Sequence, residues 1–509
     1  MQNIRDKTPW FAIPRAFGAS IVVFAVIAEW ESCWAQDDTT PTFYTPLQQQ
    51  KFYLQPLPQP RSDLPQQFYT PLQQRIRSTT PQQQQQQQQQ NTAPDVLGQP
   101  QKPVKTPADV ARERDEEEQA RRRVYAPTWN TGNDFPEEWK LSSGLSQSFF
   151  YNDNLLLETG SHKATFGSIT APEVSLQHLS PTTSIGLSGA FPFTRYFERP
   201  EFNSDNQYLN LNIDHMFNER NRLDLLGGFQ HTTTLTSDED VTGRELDKSI
   251  DIYIWSVNPS WTYQISPTDA LVFSPSYRNV HYDSSQKTSY EYYGGNFDYS
   301  HQLNTSDTIT GSVGFFRYAP DDDLNTRTDI IETLLSYTYR PSDRLLVSGG
   351  AGVSYNMTRQ DDRDGGGNSN NIGYRLKFDF QYSFGPITTA LLSLSHDTEP
   401  SSEGAQVTRN RVDLTLGYKL TDVTSLSLTG SYVDNEDHLG LDSNPDLSEG
   451  LSNYMAIGPA ISWQIVEDMK LTASYQFQAK VYKTAGGTAY ANAVFLTLSY
   501  ALPDFSWGN

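Results

Sequence analysis

Between residues 140 and 500 apolar and polar side chains alternate one for one. Tyr374, Leu376, Phe378, Phe380, Tyr382 and Phe384 alternate with Arg375, Lys377, Asp379, Gln381 and Ser383. After Gly385-Pro386 the pattern resumes, with Ala390, Leu392 and Leu394 set against Thr389, Ser393 and Ser395 and Leu391 as the one exception. A period of two places the apolar residues on one face of a strand and the polar residues on the other. The same phase holds in Val412, Leu414, Leu416, Tyr418 and Leu420, in Leu471 to Ala479, in Leu209 to Ile213, and in Val494 to Tyr500. Aromatics gather at the ends of these segments, as in strands that turn an apolar face to lipid and a polar face to a lumen.

The strands are punctuated unequally. Short turns fall at Ser180-Pro181-Thr182, Asn218 to Asn221, Ser266 to Asp269, Asn304 to Asp307, Pro341-Ser342-Asp343, Gly385-Pro386, Thr421-Asp422 and Glu467-Asp468. All are rich in tight-turn residues. Longer polar connections lie between them, such as 236–247, 320–326, 360–371, 398–406 and 434–449. The two-strand repeat is roughly 40 residues. Propeller blades share that period, but hold four strands each and carry blade motifs absent here. Short turns at one end and long loops at the other predict an all-β chain, a transmembrane antiparallel up-and-down β-barrel of about 18 strands, with 16 the alternative. The expected strands start near residues 140, 163, 183, 205, 221, 248, 269, 287, 307, 327, 344, 372, 387, 407, 423, 451, 469 and 489. Pro172 and a broken pattern blur the first three.

Upstream the character changes. Residues 1–35 read as a signal peptide: Arg5, Lys7 and Arg15 precede an apolar stretch from Ala16 to Ala28, and Cys33-Trp34-Ala35 supplies small residues for cleavage before Gln36. Residues 36–135 read as a disordered Gln/Pro-rich periplasmic tail. Three related units begin at Phe43-Tyr44, Phe52-Tyr53 and Phe68-Tyr69, and a glutamine tract runs from Gln82 to Gln90. Residues 109–124 are charged enough for a short salt-bridged helix. The barrel is expected to occupy 136–509. Repetition in the tail suits docking on periplasmic or cell-wall partners, and a plain spacer is the simpler alternative.

Composition then narrows the possibilities. No run of about 18 apolar residues exists, which excludes a helical membrane protein. The formal charge of −22 excludes nucleic acid as a partner. Cys33 is the only cysteine, so the mature chain offers no disulfide and no thiolate metal site. The 8 histidines form no ligand pair, and the acidic loop residues Asp321 to Asp323, Asp361, Asp362, Asp364, Asp434, Glu436, Asp437 and Asp442 keep no calcium-loop spacing. No nucleophile elbow or phosphate cradle is present, so neither an enzyme nor a cofactor is expected. The chemistry lies on the polar faces of the strands. Asp214, Glu332, Arg375, Lys377, Asp379, Arg411, Asp413, Lys419 and Lys480 are the expected lumen-lining charges, because Arg or Lys on the lipid face costs about 2–4 kcal/mol at mid-bilayer. A lining of both signs can set a transverse field in a pore, or simply solvate the wall.

From Tyr151-Asn152-Asp153-Asn154-Leu155 onward the chain resembles the β-barrel porin 2 family. The Tyr-x-Asp-Asn opening is followed by a Pro-containing strand, Ala171 to Leu176, and by hairpins closed at Asn/Ser-Pro/Asp turns. The resemblance spans roughly residues 140–509. It implies an outer-membrane barrel of unsettled substrate, of a general type that in some systems accompanies exopolysaccharide secretion. One departure stands out: the chain ends Phe505-Ser506-Trp507-Gly508-Asn509, which displaces the terminal aromatic that the assembly machinery reads. Tyr500 is the alternative end of the last strand. The expectation is therefore a porin-like channel for small hydrophilic solutes or ions in the bacterial outer membrane. Its partners would be outer-membrane lipid, lipopolysaccharide and the barrel-assembly machinery, and nothing in the chain specifies an oligomer. A secretion or assembly component is the alternative.

Overall fold

A computed structural model describes residues 138–237, 241–242, 249–360, 367–385, 387–401, 406–437, 452–483 and 486–508. The expected signal peptide, periplasmic tail and short helix, together with Asp361, Asp362, Asp364, Pro386 and Asp442, lie outside these residues.

The strand segments in chain order are β1 (Glu138–Asn152), β2 (Thr165–Leu179), β3 (Thr183–Ala190), β4 (Phe193–Tyr196), β5 (Ser204–Asp205), β6 (Gln207–Asn218) and β7 (Asn221–Thr233). They continue with β8 (Asp251–Gln264), β9 (Asp269–Tyr282), β10 (Tyr290–Gln302), β11 (Asp307–Pro320), β12 (Arg327–Ser342), β13 (Leu345–Arg359) and β14 (Asn368–Phe384). The last are β15 (Thr388–Pro400), β16 (Gln406–Thr421), β17 (Thr424–Asp437), β18 (Ser452–Val466), β19 (Met469–Tyr482), β20 (Thr488–Ala501) and β21 (Phe505–Gly508). All pairings are antiparallel, and β1 pairs with both β2 and β20, so the sheet closes on itself as a barrel of 18 strands.

Three of those strands are broken into two segments. β3 and β4 meet β2 in one continuous register, Glu173 opposite Ala190 and Gly167 opposite Tyr196. Between them Pro172 and Pro192 cannot donate to the ladder, and Phe191 N–H reaches Pro172 O at 3.0 Å. β5 and β6 likewise continue one strand. β20 and β21 do not share a register against β1: Gly144 faces Ala501 but Glu138 faces Gly508. Leu502-Pro503-Asp504 therefore inserts a bulge, after which the chain pairs again. The strand does not end at Tyr500, and Trp507 sits at the closing seam opposite Trp139, ring centroids 6.2 Å apart. Lys140 holds Asp504 at 2.7 Å across the same seam, and this contact together with a hydrogen bond from the Ser142 side chain keeps its carboxyl below the ordinary range.

Tight turns join β2 to β3, β6 to β7, β8 to β9, β10 to β11, β12 to β13, β14 to β15, β16 to β17 and β18 to β19, all at one rim. Their sequences supply the hydrogen bonds directly. Asn218 Oδ1 accepts from Arg220 N–H (3.0 Å) and Asn221 N–H (3.1 Å), and Asn304 Oδ1 does the same for Ser306 and Asp307. Gly385 takes φ +73, open only to glycine without strain. The longer connections all emerge at the opposite rim.

The outer face is apolar and capped by two aromatic girdles. Trp261, Tyr299, Tyr337, Tyr418, Trp463 and Tyr500 mark the turn rim, and Phe166, Trp255, Tyr277, Tyr355, Tyr374 and Tyr490 the loop rim; all are exposed. Leu271, Val313, Leu335, Val353, Ile461 and Leu496 lie between them. From Tyr490 to Tyr500 the chain climbs about 25 Å, at about 3.3 Å per residue and a tilt of about 40°, the height of the apolar band of an outer-membrane barrel.

The inner face departs from the expected uniformly polar wall. Towards the turn rim it is Ser, Thr, Gly and charge. Towards the loop rim it carries three apolar clusters instead. Ile252, Ile254, Val280, Tyr282, Tyr290, Phe316, Tyr318 and Ile330 form the first, on β8–β12. Val433, Tyr454, Tyr482, Ala489 and Ala491 form the second and pack on Leu157. Phe150, Ile169 and Tyr196 form the third with Leu156 and Phe202. Residues of the connections fold into the barrel mouth and cover these patches.

Candidate functional site

The nine expected lumen-lining charges all stand in the phase opposite the exposed apolar row. How the wall uses them differs from residue to residue.

Arg375 is the centre of an ion-pair ladder. Register aligns Gly352, Arg375, Asp397, Arg409 and Asn435 across β13–β17. Arg375 Nη1 lies 2.6 Å from Glu332 Oε1 on β12, and its Nη2 and Nε reach both oxygens of Asp397 at 2.6 and 3.0 Å. The Arg375 and Glu332 side chains are only 8% and 11% exposed, so water screens the pair weakly. Arg409 continues the row, with Nη1 3.1 Å from Glu399 and Nε 3.0 Å from Asn435. Small residues make the room. A Cβ at Gly314 would come within 2.7 Å of Glu332 Cγ, and one at Gly352 would strike the Thr333 carbonyl. Any side chain at either position displaces the ladder.

One step towards the turn rim, Lys377, Ser395 and Arg411 form the next row; one further step brings Asp379, Ser393 and Asp413. Arg411 pairs with Asp413 two residues along its own strand, and Ser393 donates to Asp379 at 2.8 Å. Lys377 is exposed to the bore and Lys419 half-exposed nearer the turn rim. Below the mixed row around Arg375, the row of Lys377 and Arg411 is basic and the row of Asp379 and Asp413 acidic. Asp214, on β6, belongs to a separate group with Arg222, which also reaches Asp224 at 3.0 Å. By strand order this group lies across the barrel from β14–β16. Its presence on the far wall gives the bore a transverse as well as an axial charge pattern.

Lys480 is the exception among the nine. It is on the inner face but fully covered, donating to Val241 O at 2.8 Å with its ammonium 5.6 Å over the Tyr482 ring. Val241 and Thr242 belong to the connection between β7 and β8. Asn435 on β17 donates to Thr242 O at 2.8 Å. A segment that leaves the wall at β7 is thus pinned to β17 and β19, across the mouth. The β1–β2 connection comes in from another side: Asn154 donates to Tyr490 O at 2.9 Å, and Tyr482 Oη donates to Leu157 O at 2.7 Å. On β11, Tyr318 Oη reaches Ser401 O at 3.2 Å. Inward-folded segments therefore narrow the loop-end mouth, a feature no turn or loop composition disclosed. A trace of it exists in the sequence, where Ile252-Tyr253-Ile254-Trp255 is apolar on both faces of its strand. Among the described residues no group of three or more His, Cys, Asp or Glu side chains could hold a metal ion.

No family model matches the chain, and no curated protein matches it. Solved structures do. The outer membrane protein OpdK of Pseudomonas aeruginosa is 11% identical, with 72% of this chain and 99% of that chain covered and a TM-score of 0.37. OccK2 (OpdF) of the same organism, solved in complex with glucuronate, is 10% identical over 72% and 98% of the two chains, with a TM-score of 0.39. The ferric-catecholate import receptor Fiu of E. coli is 10% identical over 73% and 82%, with a TM-score of 0.40.

Proposed function

We propose that this chain is an outer-membrane channel through which small hydrophilic solutes or ions diffuse passively, with the loop rim at the cell surface and the turn rim in the periplasm. The observation that carries the reading is the pairing of two walls on one closed sheet. Outside is an apolar band about 25 Å high between aromatic girdles, the dimension of a bilayer core. Inside is a band of both signs, with Arg375 and Arg409 paired to Glu332, Asp397 and Glu399 in one row and Lys377, Arg411, Asp379 and Asp413 in the rows below. Apolar contact with lipid explains the outer wall; water explains the exposed Lys377 and the half-exposed Lys419 of the inner one, since charge away from water is costly. Barrels of 16–18 strands enclose an aqueous channel unless something fills it. The segments at the mouth narrow this channel, and its polar body lies on the periplasmic side of them.

Full-length protein reconstituted in a planar bilayer is expected to give discrete conductance steps in molar salt, smaller than those of an unobstructed barrel of equal strand number. Reversal potentials in a salt gradient read the sign of the selecting band. A barrel that inserts but stays silent across salt and voltage would sink the channel reading.

A further inference from the structure

At the loop rim of the outer face, β12 and β13 set two arginines directly opposite one another. Arg327 is the register partner of Arg359, and both are exposed. They share the phase of Ile331, Leu335, Val353 and Tyr355, the row that meets lipid. Like charges facing each other across an antiparallel pair, with Cβ atoms about 4.5–5.5 Å apart, repel. Among the described residues neither guanidinium has an ion-pair or hydrogen-bond partner. Asp329, two residues from Arg327 on the same face, is already held by Arg317 at 2.6 Å. Other cations near this rim are neutralised, Arg195 by Asp205 at 2.5 Å and Lys483 by Asp434 at 2.7 Å. In a chain of charge −22, two adjacent outward-facing cations with no carboxylate partner among the described residues offer a place where an anion can bind.

We infer that Arg327 and Arg359 hold the phosphorylated headgroup of a glycolipid in the outer leaflet. The inference rests on the outer-membrane reading above. The pair stands just above the aromatic girdle at Tyr293, Tyr355 and Tyr374, the level at which headgroup phosphates lie. Asn368 is the register partner of Arg359 and Asn370 that of Met357, so side-chain amides flank the arginines on the same face. Two guanidinium forks suit phosphate oxygens bidentately, and a single dianionic group relieves the repulsion between them. Met357, Tyr355 and Ile372 beneath present the apolar surface that acyl chains need. Phosphate specificity and lipid attachment thus come from neighbouring rows of the same three strands.

The test uses full-length protein in detergent micelles, with native mass spectrometry reading bound lipid. The probes are diphosphorylated lipid A, the same lipid after enzymatic dephosphorylation, and inorganic phosphate as competitor. The wild type is expected to retain the diphosphorylated form about tenfold or more better than R327Q/R359Q, while dephosphorylated lipid binds both proteins equally. Millimolar inorganic phosphate leaves the lipid in place. Equal retention by the variant, equal binding of the two lipids by the wild type, or displacement by free phosphate would each overturn the proposal. A labelling tag placed between Pro320 and Arg327 reports orientation on intact cells independently. Surface labelling without lipid discrimination removes the site alone, whereas no surface labelling removes the outer-membrane reading along with it.

Discussion

Arg375 shows how one residue can fix a wall. Its guanidinium answers two carboxylates, Glu332 and Asp397, in a place where all three side chains are largely covered. Removing the cation leaves two acids facing each other in a weakly screened site, a loss that typically costs about 3–5 kcal/mol. Arg375→Leu should therefore lower the unfolding free energy of the barrel in lipid vesicles by that order, read as a fall in its urea midpoint. Adding Glu332→Gln and Asp397→Asn to it should recover most of the loss, because the stranded charges are then gone. Failure of the triple variant to recover would mean that the arginine acts by packing and not by charge. The ladder was partly legible from the chain alone. Phase placed Glu332 and Arg375 on one face, but Arg409, two residues before Arg411 and in the same phase, was not among the expected charges. That Asp397 would meet Arg375 was not legible, since the pairing depends on the register between β14 and β15.

At the scale of elements, the strands were the legible part and the loops were not. Expected strand starts at 183, 221, 269, 307, 327 and 469 coincide with those observed. The largest offset is at β14, which begins at Asn368 and not near 372. Asn368, Ser369, Asn370 and Asn371 pair with β13 although they show no alternation, because rim residues face water or headgroups on both sides. Inward folding of the connections had no periodic signature at all. It depends on single anchors, of which Lys480 is the clearest. Lys480→Met keeps the packing of the stem but removes the donor to Val241 O. The free energy holding the β7–β8 connection on the far wall should fall by about 1–3 kcal/mol. Unitary conductance and open-channel noise should both rise, and the connection should be cut sooner by added protease in reconstituted vesicles. Unchanged conductance with faster cleavage would separate the anchor from the constriction.

The whole molecule is a sheet with two solvents, and Leu391 and Leu335 test that statement with one kind of substitution. Leu391 broke the alternation in the sequence; the register sets it opposite Gln381 and Thr415, on the inner face, where it is 42% exposed. Leu335 is 63% exposed on the outer face near the middle of β12. Two exposed leucines, in a protein wetted on all sides, would tolerate arginine alike, within about 0.5 kcal/mol. With lipid outside and water inside they must differ. Leu335→Arg should destabilise the barrel in bilayers by about 2–4 kcal/mol, the cost of a cation at mid-membrane. Leu391→Arg should leave stability nearly unchanged and shift the reversal potential towards anion preference, since it adds a cation to a polar bore. The contrast should also shrink in detergent micelles, where the outer wall is less dry. Equal penalties at the two positions would contradict the assignment of faces on which the channel reading depends.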